Sequence, residues 1–225
     1  MIERSVITEH LDNAVSFDLD GVIFKRLPFQ GEAFLKHLLH GDEIYKTFKL
    51  PSSPFKRELS DQPFSSILEL MKFYYVRGTG LKEGVKKFIG MEAMQADLFL
   101  NTARPAKKIW AAMTEKHLQE KGLNNELFKG SFYKPEGMQA KMSKALAIRE
   151  LIDRGYENIT HYDDNPEDVL SLALMFPKVQ FVIVQDLSTG MLFSRKEAKK
   201  YPNVRRIACF DKEKILQPRP VSIDV

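Results

Sequence analysis

The sequence predicts an α/β fold, a parallel sheet covered by helices on both faces, and three observations predict it. Short apolar runs rich in β-branched and aromatic residues alternate with stretches whose apolar residues fall at helical spacing. The runs are nearly continuous rather than alternating, as strands buried on both faces are. Aspartates and a threonine stand at their carboxyl ends, the edge where open parallel sheets bind ligands.

The totals narrow the class. A chain of 225 residues can bury one large core or a core plus a small accessory unit. With 44% apolar and 28% charged residues it is not a disordered composition. No apolar run approaches the roughly 18 residues of a membrane span, so no membrane partner is expected. Met1 to Asn13 carry both charge signs and no apolar centre, unlike a secretory signal. Cys209 is the only cysteine, which excludes an internal disulfide and a cysteine-rich metal site, and makes the cytoplasm the expected location. The net charge of +4 is uneven, with nine Lys/Arg against four acids from Met191 onward. Such an end can attract nucleic acid or phosphorylated ligands, but it carries no nucleic-acid motif and reads first as solvated surface. No repeat or low-complexity segment interrupts the chain.

The first strand is read over residues 15 to 24, Val15-Ser16-Phe17-Asp18-Leu19-Asp20-Gly21-Val22-Ile23-Phe24. Strand side chains alternate faces, so Asp18 and Asp20 are expected to point the same way. Two like charges about 4 Å apart repel by roughly 4 kcal/mol at an effective dielectric near 20. A bound cation, a shared proton or a cationic side chain must offset that. Lys25 to Gly80 does not read as one crossover helix. Amphipathic helices fit residues 31 to 40 (Phe34, Leu35, Leu38, Leu39) and 64 to 76 (Ile67, Leu68, Met71, Tyr75), with a loop carrying Pro51, Pro54 and Pro63 between them. A helix pattern restarts at Leu81 and runs to about Ala96.

Leu98 to Pro105 is the next strand and its exit, with Pro105 suited to the first turn of the following helix. That helix carries Ile109, Trp110, Met113 and Leu118 and ends near Gly122. Phe132 and Tyr133 form a short edge strand. Residues 143 to 154 make a helix with Ile148, Leu151 and Ile152 inward and Gly155 as its stop. Ile159 to Tyr162 is a strand, followed at once by Asp163-Asp164-Asn165-Pro166-Glu167-Asp168. Pro166 opens a helix whose apolar face is Val169, Leu170, Leu172, Ala173 and Leu174. Val179 to Val184 is the most apolar strand, and Arg206 to Phe210 is one more.

Phe17-Asp18-Leu19-Asp20-Gly21-Val22 resembles the first motif of the haloacid dehalogenase-like (HAD) hydrolase superfamily, and three further elements follow in that superfamily's order. Thr102, before Ala103-Arg104-Pro105, resembles the second motif. Lys144, Lys141 and Lys134 are candidates for the third. Lys144 opens a helix and precedes the acidic strand end by nineteen residues, whereas Lys134-Pro135 resembles the Lys-Pro form of many capped members. Asp163-Asp164 with Asp168 resembles the acidic fourth motif, Asp-Asp-x-x-x-Asp.

The resemblance implies a Rossmann-like parallel sheet flanked by helices, formed by residues 1–24 and 81–225, with a small helical cap at 25–80. It makes Asp18 the nucleophile that forms an aspartyl-phosphate and Asp20 the general acid/base. Thr102 and Lys144 would stabilise phosphoryl charge and bind substrate. Ala103 and Arg104 would touch substrate too, with Lys25 and Arg26 near the mouth. Mg²⁺ would be held by Asp18, Asp20, Asp164 and Asp163, with Asp164 the direct ligand in the fourth motif and Asp163 acting through water. Asp168 would orient the lysine or a ligand water. An aspartate at position 20 excludes the superfamily's dehalogenases and phosphate pumps. The expected function is a Mg²⁺-dependent phosphatase of small phosphorylated metabolites. The alternatives are a phosphatase for polynucleotide ends, with the basic end tracking the backbone, a phosphomutase, or a non-catalytic phospho-ligand-binding protein.

Overall fold

Among the described residues, six strands pair into a parallel sheet in the order β3-β2-β1-β4-β5-β6. The computed structural model describes residues 12–25, 59–61, 64, 66, 69, 72, 73, 76, 78–184, 200–207 and 210. The elements are β1 (Asn13–Phe17), α1 (Val85–Glu92), β2 (Asp97–Pro105), α2 (Lys108–Glu120), β3 (Phe128–Lys134), α3 (Ala140–Asp153), β4 (Asn158–Asp163), α4 (Pro166–Met175), β5 (Gln180–Val184) and β6 (Val204–Ile207). Among the described residues, no helix is long and apolar enough to cross a membrane.

Alternation along the strands sorts the core into two layers. Val15 and Phe17 of β1 join Leu98, Leu100, Tyr162, Val182 and Val184 on one face, under Val85, Phe88 and Ile89 of α1 and Leu118 of α2. Ala14, Phe99, Ile159, Phe181 and Ile183 face the other way, under Ala145, Ile148 and Leu151 of α3 and Val169, Leu172 and Ala173 of α4. Ser16 and His161 share that second face with Ala14 and Ile159, and both are completely buried. They interrupt the apolar layer beneath the carboxyl rim, as does fully buried Asn101, two residues on from Phe99, its side-chain amide donating to Lys144 O.

Several elements differ from the sequence reading. The first strand ends at Phe17, and Asp18 to Phe24 form a tight turn in which the Leu19 carbonyl accepts from both the Ile23 and Phe24 amides. Asp18 and Asp20 are therefore not two steps of one strand, and they meet different partners, Lys144 and Arg104. Pro105 ends β2 rather than opening α2, because Ser60 pairs with the backbone there: its N–H donates to Ala106 O at 2.9 Å and its C=O accepts from the Lys108 amide at 3.0 Å. The edge strand β3 runs seven residues, not two. Ile152 and Leu174, expected inward, are 38% and 69% exposed, since each stands at the shoulder of a helix face already filled by its neighbours. The last strand lies at Val204–Ile207, ahead of the expected 206–210.

The helix read at 31–40, Arg26, and much of the proposed cap lie outside the described residues, as does much of the basic end. The described parts of the insertion are tied to the start of α2. Glu69 accepts from Lys107 Nζ and Trp110 Nε1, each at 2.9 Å, and Phe73 meets the Trp110 ring edge-on at 5.3 Å. Its two ends meet beside the sheet, where the Lys25 amide donates to Gly80 O and the Lys82 amide to Ile23 O.

Candidate active site

Parallel pairing of β1 with β4 puts Phe17 opposite Tyr162, so Asp18 and Asp163 are the next residues beyond the paired rim. Both carboxylates are buried, and α3 brings Lys144 up between them. Its ammonium donates to Asp18 Oδ2 at 2.8 Å and to Asp163 Oδ2 at 2.6 Å, with Asp168 Oδ2 at 3.9 Å. Of the three candidate lysines, Lys144 is the one the fold brings to the aspartates. Lys134 Nζ instead donates to the carbonyls of Pro135 and Met138, and Lys141, half-buried, lends its charge to Asp168.

Asp18, Asp163 and Asp164 each offer a carboxylate oxygen, and these atoms lie within 4.8 Å of one another. A buried, all-oxygen donor set of this kind suits a hard divalent cation such as Mg²⁺. Gly21 makes room for it. Its φ is +92°, and a Cβ there would stand 2.0 Å from Asp164 Oδ2. Only a residue without a side chain lets the Asp164 carboxylate reach this position.

The two carboxyls that share the ammonium behave differently. Burial would push Asp163 up, but Lys144 and the His161 contact outweigh it and hold its carboxyl well below the usual carboxylate range. Burial is the largest influence on Asp18 and raises it despite Lys144, helped by the neighbouring carboxylates. Lys144 would be lowered by burial, yet Asp163, Asp18 and Asp168 raise it well above an ordinary lysine.

Asp20 stands apart from this group. Its carboxylate accepts from Arg104 Nε at 3.1 Å and from Arg104 Nη2 at 2.7 Å. Arg104, read from sequence as a substrate contact near the mouth, is instead fully buried and directed inward. There the Asp20 carboxylate offsets the cost of burying the guanidinium charge. Thr102 is buried in β2 with its hydroxyl accepting from the Arg104 amide, and Ala103 beside it is half-buried. Lys25 is exposed at the root of the insertion.

Two residues that the sequence reading did not single out underlie the rim. Ser16 Oγ and His161 Nδ1 are 2.7 Å apart, and His161 Nε2 lies 3.3 Å from Asp163 Oδ2. Since a carboxylate only accepts, the Nε2 proton faces Asp163. A signal existed: each lies two positions before a rim aspartate, the spacing at which side chains of an extended chain share a face.

Thirteen solved chains resemble the structure. A haloacid dehalogenase-like family hydrolase from Streptococcus pneumoniae superposes with a TM-score of 0.51 at 15% identity, covering 86% of this chain and 92% of its own. YfnB from Bacillus subtilis, described as a HAD-hydrolase and solved bound to magnesium, gives 0.51 at 14% identity, covering 88% and 95%. No family model and no curated protein matches the sequence. At these identities the likeness is one of architecture, and the chain has the haloacid dehalogenase-like fold.

Two outcomes follow from the rim. A depressed carboxyl lends stability that is present above its unfolded value near 3.9 and is lost as pH falls through the folded value. A raised ammonium lends stability that is present below its unfolded value near 10.4 and is lost as pH rises through the folded value. Lys144→Met should therefore cost about 3–5 kcal/mol in urea unfolding at neutral pH, with the deficit shrinking below about pH 4 as the carboxyls protonate. Gly21→Ala should cost about 1–3 kcal/mol from the left-handed backbone alone, and calorimetric titration with Mg²⁺ should show weakened binding because Asp164 is displaced.

Proposed function

We propose that the protein is a magnesium-dependent phosphohydrolase that cleaves phosphate monoesters of small metabolites through an aspartyl-phosphate at Asp18. One observation carries the reading: the buried Lys144 ammonium lies between Asp18 and Asp163, with Asp164 beside them, at the carboxyl rim of a parallel sheet. Asp18 and Asp164 would hold the ion directly. Asp163 already accepts from Lys144 and His161 at Oδ2 and from the Asn165 amide at Oδ1, which supports its acting through water. Asp20, expected from sequence among the metal ligands, is engaged by Arg104 and takes the acid/base role alone. When bound, the ion would neutralise the carboxylates and the phosphoryl oxygens so that two anions can meet.

Asp18 attacks phosphorus in line as the bond to the ester oxygen breaks, and Asp20 supplies the proton that the leaving oxygen takes. Asp20, now a carboxylate, accepts a proton from water as the water oxygen attacks the phosphorus of the aspartyl-phosphate. Inorganic phosphate leaves and the Asp18 carboxylate is restored. Lys144 turns Asp18 toward the rim and, with Thr102, stabilises charge on the phosphoryl group.

A panel of sugar phosphates, nucleotides and oligonucleotide 3′- and 5′-phosphates, read as released phosphate with Mg²⁺, tests the assignment. Small esters should respond and chelation should abolish the response. Asp18→Asn should lower turnover by about 10⁴-fold or more. Asp20→Asn should lower it by about 10²–10⁴-fold while sparing ligand binding. Response to oligonucleotides alone, steeply reduced by salt, would favour polynucleotide ends. Equal inertness of wild type and Asp18→Asn across the panel would favour a non-catalytic role.

A further inference from the structure

We propose that Arg104 is a positioning residue for Asp20: it clamps that carboxylate against α2 and keeps it out of the Asp18–Asp163–Asp164 group. The inference rests on the reading of Asp20 as the acid/base. Asp20 leaves β1 in the same turn as Asp18, two residues away, yet its carboxylate is not among the three whose oxygens converge. What separates them is a two-pronged ion pair with one planar guanidinium, from Nε and Nη2 to the two carboxylate oxygens. The Arg104 side chain is 0% exposed while Asp20 is 27% exposed, so the clamp is buried and the clamped group still faces solvent.

The guanidinium is itself held by two further groups. Its Nη1 donates to Thr114 Oγ1 at 2.8 Å, and that hydroxyl donates to Trp110 O within α2. Phe24, from the end of the same turn, lies against it with 5.4 Å from the guanidinium carbon to the ring centroid. Behind Phe24 the His117 ring stacks at 4.1 Å and 4°, and His117 Nε2 is 2.9 Å from Thr79 O. Each carboxylate oxygen carries two lone pairs, and the fork to Arg104 uses one on each. A lysine at position 104 would keep the charge and lose the fork that fixes the carboxylate plane. Unclamped, Asp20 would be free to turn toward the cation site as a fourth carboxylate, and the acid/base would be lost to metal binding.

The test is a double-mutant cycle of wild type, Arg104→Lys, Asp20→Asn and the double variant, with folding checked by circular dichroism. With p-nitrophenyl phosphate, Arg104→Lys should lower kcat about tenfold or more with KM within about twofold, and should have almost no further effect once Asp20 is Asn. Independently of turnover, manganese binding followed by electron paramagnetic resonance should change several-fold on Arg104→Lys, and that change should vanish in the double variant. A raised KM with unchanged kcat, and effects that multiply across the cycle, would make Arg104 a substrate contact and overturn the clamp. So would manganese affinity indifferent to position 104. If Arg104→Lys does not fold, Thr114→Val removes one guanidinium contact without touching a carboxylate. It should lower kcat and leave KM unchanged, and an unaltered kcat overturns the proposal. If wild type releases no phosphate from any ester, the hydrolase reading fails by itself and the manganese cycle still judges the clamp.

Discussion

Carboxylates gathered in a nearly dry space repel one another, and the Lys144 ammonium is the group that makes the gathering tolerable. Parallel register between β1 and β4 puts Asp18 and Asp163 side by side, and Asp164 adds a third acid. Without a cation between them, burial would drive protons onto these groups, since an unpaired charge in a protein interior neutralises rather than persists. The whole second face of the sheet serves this arrangement. Ala145, Ile148 and Leu151 anchor α3 on the strands, and that anchoring carries Lys144 from the helix to the rim.

A second cation divides the acids into two sets. Arg104 holds Asp20 on the α2 side of the rim, while Lys144 holds Asp18 and Asp163 on the α3 side. The two differ in kind as well as place. The ammonium is a compact charge shared among carboxylates, whereas the guanidinium fork fixes the plane of a single one. Neighbouring carboxylates of one turn are thereby given different surroundings, and different surroundings are what allow like groups to do unlike chemistry.

The polar layer beneath the rim fits the same economy. Ser16 and His161 are buried in the sheet's second face, at positions where a valine or leucine would bury more apolar area. Their hydrogen bonds end on Asp163 and limit the orientations that carboxylate can take. Gly21 likewise gives up chain entropy and side-chain packing so that the Asp164 carboxylate can occupy the space a Cβ would fill.

The sequence by itself determined the fold class, the order of the strands and helices of the sheet-bearing core, and the acids at the strand ends, because period and turn chemistry are local properties. Pro166 after Asn165, Gly155 after α3 and the apolar run ending at Val184 each announce an element within a few residues. The tertiary structure decided which charges meet. The sequence favours Lys144 over Lys141 and Lys134 by its helix-start position and spacing, and the packing of α3 against the sheet is what brings it to the aspartates. Arg104 looks from its neighbours like a surface contact near a ligand. That it turns inward to Asp20 depends on Thr114 and Phe24, which lie ten and eighty residues away along the chain. Asp18 and Asp20 read as one strand face until the turn at Gly21 sends them to different partners. Charge pairing across the fold is a sum over distant neighbours, and no window of sequence contains that sum.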